Sequence, residues 1–165
     1  FTTLPLYHQK AYGLTEFQTG LLLTLNGFLV FLLEMPIVNY FDRKKVNKVK
    51  IVMFGSLFMA FGFYVLLLNA WVGVLVINIL FLTFGEIFAF PFSNSFALSR
   101  APRGQEGRYM AFYTMSFSLA HIMSSKTGMG IFDRYGYLTN WMVMGTLGLI
   151  AVICSVWVMK MVREE

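Results

Sequence analysis

The sequence holds a single cysteine, Cys154, which excludes an intrachain disulfide and any cysteine metal site. Cys154 reads as a small apolar residue of the last helix. Charge is scarce too: 13% of the 165 residues are Asp, Glu, Lys or Arg, against roughly 25% in a soluble domain. No phosphate-cradling glycine loop, zinc-ligand spacing or hydrolase nucleophile motif occurs, so an enzyme reading has nothing to stand on and no cofactor or metal is expected. A signal-peptide pattern is missing as well, and the chain opens at Phe1 without a Met. The apolar run over 1–8 is too short to span, since crossing takes about 20 residues. It reads as the end of a helix whose beginning lies before Phe1.

What the sequence has in abundance is apolar length. Apolar residues make up 58% of the chain and the mean hydropathy is +0.67, carried by runs too long for one soluble core of this size to enclose. Five full spans are expected, at about 18–41, 51–68, 71–99, 109–132 and 138–161, with turns at the basic stretch FDRKKVNKVK, at Asn69 and Ala70, at RAPRGQEGR, and at DRYG with Tyr137. The runs are continuously apolar and lack the two-residue alternation of barrel strands. The fold class is therefore all-α, a polytopic transmembrane helix bundle forming a single transmembrane domain over 1–165.

The net charge of +5 does not point to nucleic acid, because the bases sit in short blocks between apolar runs. Their placement is an orientation signal. Arg43, Lys44, Lys45, Lys48, Lys50, Arg100, Arg103, Arg108, Lys160 and Arg163 fall on one side, and only Lys10 and Arg134 on the other, with Lys126 inside a span. Positive residues are retained in the cytoplasm, so the carboxy terminus is expected there, in a plasma or inner membrane. Trp71, Tyr137 and Trp141 are expected near the outer membrane interface, and Tyr40 and Tyr109 near the inner one.

Glu34, Glu86, His121 and Lys126 are the ionisable residues inside spans. A charge at mid-span costs about 2.5–3.5 kcal/mol on insertion scales, so such groups face a protein interior or an aqueous cavity. Glu86 lies near the centre of its span beside Gly85 and five residues before Pro91, which is expected to bend the helix. Burial favours the neutral form of a carboxyl, which suits proton exchange near neutral pH; the competing reading is a hydrogen-bonded residue that holds the bundle together. His121 is expected to be packed and hydrogen-bonded, with Ser118 and Ser125 on its face as partners or as a polar path. Lys126 either snorkels outward or meets an anionic substrate. Glu34 is expected to pair with a base of the cytoplasmic loop, supporting structure or gating rather than touching substrate. Asn26 and Asn78 could line a cavity, and interhelical hydrogen bonding explains either alone. Gly55, Ala60 and Gly62, and Ser124, Ser125, Gly128 and Gly130, supply small-residue surfaces for helix packing.

Three short stretches carry a resemblance: Asp42, Arg43, Lys44 and Lys45 after the first span, PRGQEGRYM over 102–110, and Asp133 to Gly136 after the fourth. Together they resemble the carboxy-terminal six-helix half of a major facilitator superfamily transporter. Asp42 and Arg43 match the Asp-Arg core of that family's basic loop, while Val38 and Lys45 stand where its glycines would be. Ser124 to Gly128 departs from the Gly-Pro-rich gating motif of the other half. The resemblance implies secondary active transport of a small-molecule solute by alternating access, with the lipid bilayer as surroundings and an amino-terminal six-helix half, or a second copy, as partner; Glu86 tilts the expectation toward proton coupling. Asp42 and Arg43 would belong to the gating loop. A non-transporting membrane assembly or binding module is the alternative. The orientation is checked by cysteine-accessibility labelling at Lys45 and Tyr137. The Lys45 position is expected to react from the cytoplasm and the Tyr137 position from the opposite side, and cytoplasmic labelling at Tyr137 overturns the topology.

Overall fold

Within hydrocarbon a backbone amide finds no water, and the helix satisfies its own hydrogen bonds inside one segment. The computed structural model describes residues 3–68 and 71–163, and all the regular structure among them is helical. The helices are α1 (Thr3–Tyr12), α2 (Glu16–Arg43), α3 (Lys48–Val65) with a 3₁₀ turn at Leu66–Leu68, α4 (Gly73–Ser99), and a long element, Glu106–Arg163. Non-helical Gly136, at φ 81° and ψ 173°, breaks that element in two; its halves are α5 (106–135) and α6 (137–163). The protein is an integral, multi-pass membrane helix bundle. The turn expected at Asn69 and Ala70 lies outside the described residues.

Local chemistry sets the ends. Gly13, at φ 64°, closes α1 with its N–H on the Gln9 carbonyl at 3.0 Å, a left-handed cap that glycine adopts without a Cβ clash. Thr15 and Gln18 then form a reciprocal capping box that starts α2. Asn47 caps α3 by accepting from the Val49 N–H at 2.9 Å. Between α2 and α3, Lys45 takes φ 50°, a left-handed conformation costing an L-residue roughly 1–2 kcal/mol. This is the position where the resembled loop carries glycine, and the backbone supplies the reason.

The small residues of α3 bring its neighbours close. A Cβ on Gly55 would lie 2.6 Å from the Ala89 amide nitrogen and 2.9 Å from the Gly85 carbonyl oxygen, so α3 and α4 touch backbone to backbone. On its other side Ala60 meets Gly148 of α6, where an added Cβ would lie 2.9 Å from the Ala60 Cβ. Gly128 of α5 packs near Thr3 and Met144, whereas Gly130 faces open space. Thus α3 and α4 form the centre, and α2, whose sole buried residue is Thr19, turns Phe28, Phe31 and Met35 outward.

At the end opposite the basic turns, Tyr7 of α1 is fully enclosed and its O–H donates to the Leu66 carbonyl at 3.1 Å. Its ring meets Trp141 edge-on at 5.1 Å, and Trp141 stacks on Phe63 at 6.1 Å. Trp141 is 1% exposed, so it packs in the core at this end, with Tyr7 of α1 against it. Lys10 lies over the Phe132 ring at 5.1 Å. At the basic end Phe41 packs on Phe88 and Phe92, and the Lys48 ammonium donates to the Ser95 hydroxyl at 2.6 Å.

The Gly55 contact generates a stability test. Gly55→Val should push α3 from α4 and lower stability by about 1–3 kcal/mol, read as an earlier thermal unfolding transition in detergent. Gly107→Ala, where an added methyl meets nothing within 4 Å, should leave the transition in place or raise it slightly.

Candidate functional site

Glu86 stands midway along α4, thirteen residues from Gly73 and thirteen from Ser99. An apolar helix exposes no partner for a carboxyl, so partners must come from side chains one turn away or from another helix. Both are present. The Asn26 amide of α2 donates to Glu86 Oε2 at 3.2 Å, and the Thr83 hydroxyl donates to Asn26 Oδ1 at 2.6 Å. Thr83 precedes Glu86 by three residues and so shares its face of α4. The result is a relay of three polar side chains from Thr83 through Asn26 to Glu86, tying α2 to α4.

The second carboxyl oxygen is different. Glu86 is 9% exposed, and its Oε1 is buried without a hydrogen-bond partner. Glu86 borders a cavity of about 160 Å³ that takes Thr3 from α1, Met59 and Phe63 from α3, Leu82 from α4, Ser124 from α5, and Trp141 and Met144 from α6. Five helices therefore converge on the carboxyl, and the walls are mostly apolar. A buried acceptor with no donor is costly, about 1–3 kcal/mol, and a proton on that oxygen or a polar guest in the cavity would remove the penalty.

The remaining candidates are distributed elsewhere. Asn78 is fully buried, but its amide donates to the Gly62 carbonyl at 2.9 Å, which bonds α4 to α3 away from the cavity. His121 is exposed on α5, and it is its carbonyl that accepts from Ser124 Oγ at 3.1 Å. Lys126 is also exposed; two residues beyond Ser124, it points about 200° around the helix from the cavity wall. Glu34 is half-buried and faces Pro91 and Asn94 of α4 and Tyr113 of α5. Asp42 and Arg43 are exposed at the end of α2, where the Asp42 carbonyl accepts the Lys45 N–H at 3.1 Å.

Some polar residues near the cavity escaped the sequence reading. Thr83 is one, although its three-residue spacing from Glu86 was a usable signal. Asn140 is another: fully buried on α6, it donates to the Thr3 hydroxyl at 3.4 Å, and Thr3 reaches the cavity. His8 is enclosed on α1 with both ring nitrogens unpartnered, outside the cavity wall.

The Asn26 contact is testable by a double-mutant cycle between Asn26→Leu and Glu86→Leu, read by thermal or denaturant unfolding. A coupling of about 0.6–1.7 kcal/mol is expected; additive effects would mean that the hydrogen bond contributes no stability.

Among known families, the one described as Major Facilitator Superfamily matches residues 1–165. No solved structure matches the chain.

Proposed function

Because the chain belongs to the major facilitator superfamily, a family of membrane transporters, we propose that it carries out secondary active transport of a small solute, with Glu86 as a proton-exchanging group. One observation carries this reading: Glu86, a mid-span residue lining a cavity to which five helices contribute, has one carboxyl oxygen held by Asn26 and the other buried without a partner.

The proposed cycle is alternating access. A companion six-helix half, or a second copy, would close the open side of the bundle, and rocking of the two would turn the midplane cavity to either face. The exposed apolar side chains of α2 and α5, among them Phe28, Phe31, Met115 and Leu119, suit burial against lipid or such a partner. Within this cycle Asn26 donates to the carboxylate when Glu86 is ionised. Protonation weakens that bond and with it the tie between α2 and α4, so proton occupancy and helix position are linked. Asp42 and Arg43, on the basic turn, would act in the cytoplasmic gate, with the carboxy terminus on the same side.

The test is Glu86→Gln in the intact transporter. The amide keeps size and hydrogen bonding while removing the titratable proton. Proton-driven accumulation should be lost while substrate binding or exchange persists, and the residual activity should depend less on pH. Accumulation with the original pH profile would assign Glu86 to structure alone.

A further inference from the structure

A second carboxyl lines a different crevice, which shares Phe90 with the Glu86 cavity. Glu34 sits on α2, eight residues beyond Asn26 toward the basic end, and its carboxyl makes no hydrogen bond or ion pair with any described residue. Three of the bases at that end contact other groups: Lys44 lies over the Tyr40 ring at 4.5 Å, Lys48 donates to Ser95, and Arg100 lies over the Phe96 ring at 5.8 Å. An ionisable group inside a span without a partner is unfavourable, so the chemistry of its surroundings shows what would complete it.

Those surroundings are a crevice of about 290 Å³ between α2, α4 and α5, lined by Glu34, Phe90, Pro91, Asn94, Tyr113 and Phe117. The three rings form one aromatic wall. Phe90 meets Phe117 edge-on at 5.5 Å, and Phe117 stacks with Tyr113 at 6.4 Å. The Tyr113 hydroxyl lies 3.0 Å from Ser93 Oγ, which holds the ring in place. A negative charge beside π faces attracts a cation from both directions, since ring faces carry negative potential. Neither an anion nor a plain hydrocarbon gains from Glu34. The volume is near the lower end of small-molecule pockets, and Asn94 adds an amide for a polar substituent.

We propose that this crevice is a binding subsite for a small organic cation, in which Glu34 supplies the counter-charge and Phe90, Tyr113 and Phe117 the faces that surround it. The proposal rests on the transport reading and names a substrate class for it. The same cationic chemistry could instead come from a Lys or Arg elsewhere in the intact protein, and the experiment separates the two.

Equilibrium binding of phenyltrimethylammonium to the intact, purified transporter is measured by calorimetry without a proton gradient, so the result does not depend on whether Glu86 couples protons. The cation should bind, and benzenesulfonate, of similar size and opposite charge, should not compete. Glu34→Gln should weaken binding about tenfold or more, and Phe117→Leu about twofold to fivefold. In the unsubstituted protein, which avoids any folding defect, phenyltrimethylammonium should protect Glu34 from carbodiimide modification, read by mass spectrometry. Unchanged affinity in Glu34→Gln, or equal binding of benzenesulfonate, overturns the proposal. So does a carbodiimide crosslink from Glu34 to a lysine that the cation cannot suppress, which would make that base the partner.

Discussion

A polar group inside hydrocarbon finds little water, and this constraint governs how the few polar side chains of the bundle pair. Asn78 uses its amide to bond a backbone carbonyl of α3, and Tyr7 spends its O–H on the carbonyl of Leu66. Asn26 serves two partners at once, accepting from Thr83 and donating to Glu86. Each bond joins two separate helical segments, so the polar residues fasten an apolar bundle in which lipid tails compete equally well for hydrophobic contact.

Close packing supplies the rest. Where α3 crosses α4 at Gly55 and Gly85, the backbones approach until side-chain carbon would not fit, and dispersion grows with that proximity. The same crossing positions the site. Glu86 follows Gly85 directly, so the contact that locks α4 against α3 also fixes how far the carboxyl can move, while its face toward α2 is left to hydrogen bonds. A rigid side and a releasable side meet at one residue.

Much of this architecture was legible from the sequence because continuous apolar runs and basic turns are strong signals. Glu86 and Asn26 stood out individually as polar residues in apolar helices. Their hydrogen bond joins positions sixty residues apart, and no local pattern encodes such a pairing. Trp141 stood out only by its place near the end of a span, and nothing local in the sequence shows that Tyr7 of α1 packs against it. The stretch DRYG with Tyr137 reads as a loop by composition, but Asp133 to Tyr135 stay helical and Gly136 alone departs. A turn made by one glycine looks, in sequence, much longer than it is. Lys45 shows the reverse: the resembled pattern of glycines marked a special backbone, and the left-handed φ appears there despite the side chain.

The single-residue break at Gly136 governs how α5 and α6 can move. Their ends at that point are tied within about two Cα–Cα steps of roughly 3.8 Å each, so the two helices cannot slide apart there. Gly128 still contacts Met144 across the pair, which keeps the first turns together. A relative tilt of the two helices would take Gly136 as its fulcrum, and its amplitude would grow with distance along them. Tyr113 lies 23 residues from the fulcrum, about 35 Å by helical rise. A tilt of a few degrees, barely felt at Trp141, would shift the aromatic wall of α5 by an ångström or more relative to α6, placing the leverage of the hairpin at the basic end.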